Sequence, residues 1–332
     1  MTYSSGGLIQ ASDYNTFTTN SGGLNDVWST GSGDKGWGQT TFTAASVGGT
    51  VTATQWASLV NNLASAGSQT STTLTSRTAP TAGQTIGILA ALATDITNVT
   101  TNRGNAASSG TEYGTFTGTT SKTTATGSGT AAWTITFTHT ITFPSADQAR
   151  YFWNAGGIVK VKYGKSSTGT DTDPDWNTFS GQCGVINITG RVNGAAQTIV
   201  GTSYTGTTRV GGTGGTQTTL ATTTGWYSLT SGAAATTLFR LTNATAPYTG
   251  EYIQTTAAVN AGRTTLTLVT TWVSDGSSGA GTSANISGGT ATSSPSTTIT
   301  GTAPTTLVTY VPPATTYLTA AWGTPTISAS VA

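Results

Sequence analysis

Charge is what this chain has least of. Its 332 residues include 12 Lys and Arg and 11 Asp and Glu, 7% of the whole and a net charge of +1, where ordinary soluble chains carry roughly a quarter. Twelve scattered cations do not build the basic footprint that nucleic-acid binding requires. Cysteine and histidine occur once each, as Cys183 and His139, which excludes an internal disulfide framework and a cluster of histidine ligands. No apolar run reaches the roughly 18 residues of a membrane-spanning helix, so none is expected. Glutamate occurs only at Glu112 and Glu251, and no GxSxG elbow exists. Carboxylate-pair catalysis would have to draw on the aspartates. The opening MTYSSGGLIQASDY has neither the basic nor the apolar region of the usual signal peptide.

Threonine stands where charge is missing. The chain holds 81 Thr, 33 Ser and 44 Gly, nearly half of all positions, together with 9 Trp, 11 Tyr and 8 Phe. Low net charge argues against disorder, each aromatic can bury roughly 150 to 250 Å², and threonine fits a pleated, half-buried surface. A strand-rich protein with a thin core is expected, and thin cores favour oligomers.

The first hundred residues read as helical. Trp56, Leu59, Val60 and Leu63 predict an amphipathic helix over 53–66, capped by Thr52 or Thr54. A second helix is predicted over 86–102, with Leu89, Leu92, Ile96 and Val99 inward and Asp95 on the opposite side, and a shorter one starts near Ser12. An internal repeat at an offset of 42 pairs Ile9 with Val51, Ser12 with Thr54, Tyr14 with Trp56 and Phe17 with Leu59. Residues 1–104 therefore form a helical module, and Tyr14, Phe17, Trp56 and Leu59 are its expected docking residues. A Gly/Ser/Thr-rich linker is expected over 105–130.

From 131 to 332 the period becomes two. In WTITFTHTITF, residues 133–143, apolar residues and His139 share one face and threonine fills the other. Ser145 and Gln148 predict a capped helix over 146–154 ended by Gly156. Further strands are expected at 158–163, 184–192, 198–204, 237–242, 250–255, 264–273 and 304–311, and a long loop at 274–296. The fold class is mainly β, an antiparallel sandwich or barrel-like domain behind a small helical module.

Few residues invite chemistry. His139, on the apolar face of a strand, reads as a hydrogen-bonded residue of the core or of an interface rather than a catalyst. Asp171, Asp173 and Asp175 alternate in TGTDTDPDW and offer oxygen ligands to Ca²⁺, although Trp176 and Gln182 break the hand-type loop. The competing reading is a solvated loop facing Lys160, Lys162 and Lys165. Trp226 and Tyr227 supply flat faces on which a glycan could stack, or belong to the core or a subunit interface.

One resemblance joins these segments. ASDYN at 11–15, GWGQ at 36–39 and VTATQWASLVNNLASA at 51–66 resemble the amino-terminal region of virion structural proteins of tailed bacteriophages, those of marine and cyanobacterial myoviruses above all. FPSADQARYFWNAGG at 143–157 resembles a second block of the same proteins. Ala57 departs from the usual Asn after the helical Trp. The resemblance implies a non-enzymatic virion component, a tail, baseplate or neck fibre or appendage, whose partners are copies of itself and other virion proteins. A host-surface glycan-binding adhesin and a capsid decoration protein are the alternatives. It implies no catalytic residues and no cofactor; Ca²⁺ enters only through the three aspartates.

Overall fold

The computed structural model describes residues 10–84, 89–106, 120–122, 133–165, 173–190, 197–199, 202–204, 206–232, 235–246, 248–274, 291–294 and 304–332. Helices come first: α1 (Ala11–Thr18), α2 (Asn25–Trp28), α3 (Ala53–Gln69) and α4 (Leu89–Asn102). There follow β1 (Thr120–Lys122), β2 (Trp133–Thr142), α5 (Ala146–Asn154), β3 (Ile158–Gly164), α6 (Asp173–Gln182) and β4 (Val185–Ile188). Next come β5 (Gln197–Ile199), β6 (Thr202–Tyr204), β7 (Thr207–Val210), β8 (Thr216–Leu220), β9 (Thr236–Thr242) and β10 (Tyr252–Val259). The last strands are β11 (Thr265–Ser274), β12 (Ala291–Ser294), β13 (Thr305–Val311) and β14 (Thr326–Val331).

The fold is mainly β and sandwich-like. One six-stranded sheet has the order β14-β2-β11-β10-β9-β8 and is antiparallel throughout. The other, β1-β12-β13-β3-β4-β7, is antiparallel except for the parallel pair β12 and β13. Side chains cross between them: Tyr163 on β3 meets the Thr255 hydroxyl on β10 at 2.6 Å, and Trp272 on β11 donates its indole N–H to Thr306 on β13 at 3.1 Å. The central strand β2 shows why the sequence builds this layer. Ile135, Phe137, His139 and Ile141 are buried, while Thr134 and Thr142 are exposed, the two-residue period of a sheet with one packed face.

The helices owe their ends to the residues the repeat aligns. Thr52 caps α3 reciprocally, its hydroxyl accepting from Gln55 N at 3.3 Å while its own N–H reaches Gln55 Oε1 at 2.8 Å. At the equivalent place in α1, Gln10 N–H donates to Asp13 Oδ2 at 2.9 Å. The aromatic pair of the repeat then meets: Tyr14 sits edge-on to Trp56 at 5.4 Å, with Phe17 on the same indole at 6.0 Å. α5 spans the expected residues, with the Ser145 hydroxyl accepting from Gln148 N at 3.1 Å.

Several expectations need correction. Asp95 is buried and paired with Arg77 at 2.6 Å, because the 70–78 segment returns across α4 and covers the side expected to face water. The acidic stretch read as a loop becomes α6 from Asp173 onward. Within the expected linker, residues 120–122 pair with β12, and Ala106 is buried; residues 107–119 and 123–130 lie outside the described residues. Within the expected long loop, residues 291–294 form β12, and residues 275–290 lie outside the described residues. The apolar side chains of α1 to α4 belong to the same continuous core as those of both sheets.

Candidate functional site

The four residues expected to dock the chain to a partner lie inside its own core. Tyr14, Phe17, Trp56 and Leu59 are between 0% and 2% exposed. Tyr14 and Phe17 pack edge-on against Trp56, and none of the four side chains is open to a second protein. This corrects the docking expectation: apolar periodicity shows that a face is covered, not what covers it.

The segments that carry the resemblance meet in one seam. Trp37 of GWGQ donates its indole N–H to Asn154 O of the second block at 3.1 Å. Asn154 answers with its own amide, donating to Asp34 O at 2.7 Å and Gly36 O at 3.0 Å, while its Oδ1 accepts from the Tyr227 hydroxyl at 2.8 Å. Gln39 clasps Thr319, accepting from its N–H at 2.8 Å and its hydroxyl at 2.7 Å and donating to its carbonyl at 2.9 Å. Gln69 reaches Ala155 O at 3.2 Å. Between Trp37 and Gln39, Gly38 has φ +73°, and a Cβ there would stand 2.4 Å from the Tyr151 ring; only glycine admits so close a crossing. The glycine-rich turn before it is held from below by Asp26, which accepts from Ser32 Oγ at 2.6 Å and Lys35 Nζ at 2.7 Å. These motifs bind the amino-terminal segment to the sandwich.

The glycan expectation is corrected at Trp226. Its ring stacks on Trp153 at 5.5 Å and meets Phe143 at 5.7 Å, inside the core. Tyr227 is partly buried.

Of the calcium set only Asp175 has a described side chain. Asp171 lies outside the described residues, and Asp173 enters as the first residue of α6. Among the described residues no group of three His, Cys, Asp or Glu is placed to hold a metal. Asp175 instead accepts from Asn243 Nδ2 at 2.7 Å, and the same amide lies 3.3 Å from Glu251 Oε2. Burial raises the Asp175 carboxyl above its ordinary range, and hydrogen bonds with Asn243 and Glu251 offset this in part. Sequence reasoning missed this cluster because Glu251 sits beyond the β9–β10 turn, and nothing local ties it to α6.

His139 is buried as expected, but neither ring nitrogen has a hydrogen-bond partner. Burial pushes its pKa down to about 4. Cys183 is buried too, and burial raises its thiol.

A broad surface feature is the outer face of the β2 sheet. Thr134, Thr136, Thr138, Thr140 and Thr142 stand opposite Val273, Thr271, Val269, Thr267 and Thr265 of β11. Ser328 and Ser330 continue the hydroxyl rows on β14, and Gln254 and Thr256 on β10. Among the described residues of this face Arg240 alone is charged, and its guanidinium lies 3.8 Å over the Tyr252 ring. No protein-family model, no curated protein and no solved structure matches this chain.

Proposed function

We propose that this chain is a non-enzymatic structural protein of a tailed-bacteriophage virion, a tail, baseplate or neck appendage, and that it works assembled with copies of itself and other virion proteins. The observation that carries the reading is the outer sheet face: threonine at each outward position of β2 beside threonine and valine on β11, with one charge, already engaged by an aromatic ring. Such a face has little to attract ions or a charged partner, and it can meet a like surface through hydroxyl hydrogen bonds and methyl contacts. Charge is sparse over the entire chain, which is a solubility liability for a free monomer and none for a covered subunit. The sequestered groups agree with a structural role: the only imidazole and the only thiol are both buried, away from any substrate.

Incorporation into particles tests the proposal. A Thr136→Lys, Thr138→Lys double variant places two ammonium groups on the face without touching the core. The reading predicts a folded protein that fails to enter virions, whereas wild type enters. Absence of the wild-type chain from purified particles, or normal incorporation of the double variant, would count against it.

A further inference from the structure

We propose that the cleft between α5 and the β10–β11 hairpin binds a carboxylate-bearing sugar of the uronic-acid type. The cleft encloses about 400 Å³ and is lined by Asp34, Asp147, Arg150, Trp226, Tyr227 and Arg263 among its residues, a volume within the usual range of ligand pockets.

Two guanidinium groups reach it from separate elements. Arg150 of α5 donates to Gly33 O at 2.9 Å and to Asp147 Oδ1 at 2.9 Å, a carboxylate whose side chain is 70% exposed; solvated pairs of this kind are easily exchanged for another anion. Arg263 donates to Leu229 O at 3.0 Å and Trp226 O at 3.4 Å and has no acidic partner among the described residues. Carbonyls fix its direction and set no formal charge against it.

The backbone singles out the same residue. The hairpin turn is tied by Asn260, whose Oδ1 accepts from Thr264 N at 2.8 Å and Thr265 N at 3.0 Å. It holds Arg263 at φ +50°, a left-handed conformation that disfavours any residue with a Cβ and that glycine adopts freely. A strained residue whose charged side chain enters a cleft is a mark of function.

The chemistry selects the ligand. A guanidinium fork recognises a planar carboxylate with two hydrogen bonds, and two guanidinium groups line the cleft. Tyr227 turns its hydroxyl away to Asn154 and offers ring surface to a sugar. Asp34 and the exposed Asp147, which also line the cleft, can accept hydrogen bonds from sugar hydroxyls and oppose a doubly charged phosphate.

Calorimetric titration of the full chain with trigalacturonate, with neutral galactotriose and with inorganic phosphate tests the site. Saturable binding of the uronate is expected, about tenfold or more tighter than that of either control, and about tenfold weaker in Arg263→Gln. Because that variant could perturb the hairpin, Arg263→Gly removes the same guanidinium at a position whose backbone suits glycine, and it must show the same loss. No saturable heat with the uronate, equal affinity for galactotriose or phosphate, or undiminished binding in both Arg263 variants would overturn the proposal.

Discussion

Replacing His139 by leucine should make the protein less sensitive to acid. The imidazole is fully buried with both nitrogens unpaired. The residues sharing its face on the flanking strands are Leu266, Leu268 and Thr270 on β11 and Ile327, Ala329 and Val331 on β14, none of which titrates. Burial lowers its pKa from 6.5 to about 4, so protonation favours the unfolded chain. Stability is complete above pH 6.5 and is lost as pH falls toward the folded-state value. The linkage amounts to about 2 kcal/mol at pH 5 and about 3 kcal/mol at pH 4. Leucine removes this loss and also the two orphaned nitrogens, worth about 1 to 3 kcal/mol at neutral pH. Urea unfolding followed by tryptophan fluorescence at pH 7.5 and pH 5.0 reads both effects. Between those conditions the wild type should lose about 2 kcal/mol more than His139→Leu. Curves that shift in parallel for the two proteins would refute the assignment of His139 as an unpaired, buried imidazole.

The carboxyl pair has the opposite sign. Because burial raises Asp175, its contribution is present at low pH and is lost as pH rises through its folded-state value; Asp175→Asn should therefore raise the urea midpoint at pH 8 and change it little at pH 4.5. At the seam, Asn154→Ala removes the bonds to Asp34 O, Gly36 O and the Tyr227 hydroxyl. A cost of about 2 to 4 kcal/mol is expected, with faster proteolysis within residues 30–38, and cleavage at the wild-type rate would contradict the seam's role. Gly38→Ala brings a Cβ against the Tyr151 ring at a left-handed φ and should lower the melting temperature more than Gly33→Ala, whose Cβ meets no atom within 4 Å.

Legibility followed the range of the interactions. β2 was readable because its alternation runs unbroken for ten residues, and α5 because Ser145, Gln148 and Gly156 mark both ends. The repeat was readable through Tyr14 and Trp56, though its caps proved to be Gln10 and Thr52. β14 was not: TISASV sets only Ile327, Ala329 and Val331 against hydroxyls and gains its place by pairing with β2. Nor was α6, where Asp173, Pro174 and Asp175 read as a loop and Trp176 stacks on Trp272 at 5.6 Å. The docking residues failed for a different reason. Tyr14 and Trp56 were recognised as an apolar face, but the sequence holds no sign that the covering surface is the chain itself. The clefts and the Asp175–Glu251 contact depend on turns that bring distant segments together, and no local spacing encodes them.

The central claim, that the threonine face is a contact between subunits, is tested most directly by the solution mass. Light scattering of the full chain at rising concentration should give a multiple of 33.3 kDa for wild type, and the monomer mass for Thr136→Lys, Thr138→Lys with unchanged circular dichroism. A wild-type protein that stays at 33.3 kDa, or a double variant that assembles equally well, would contradict it.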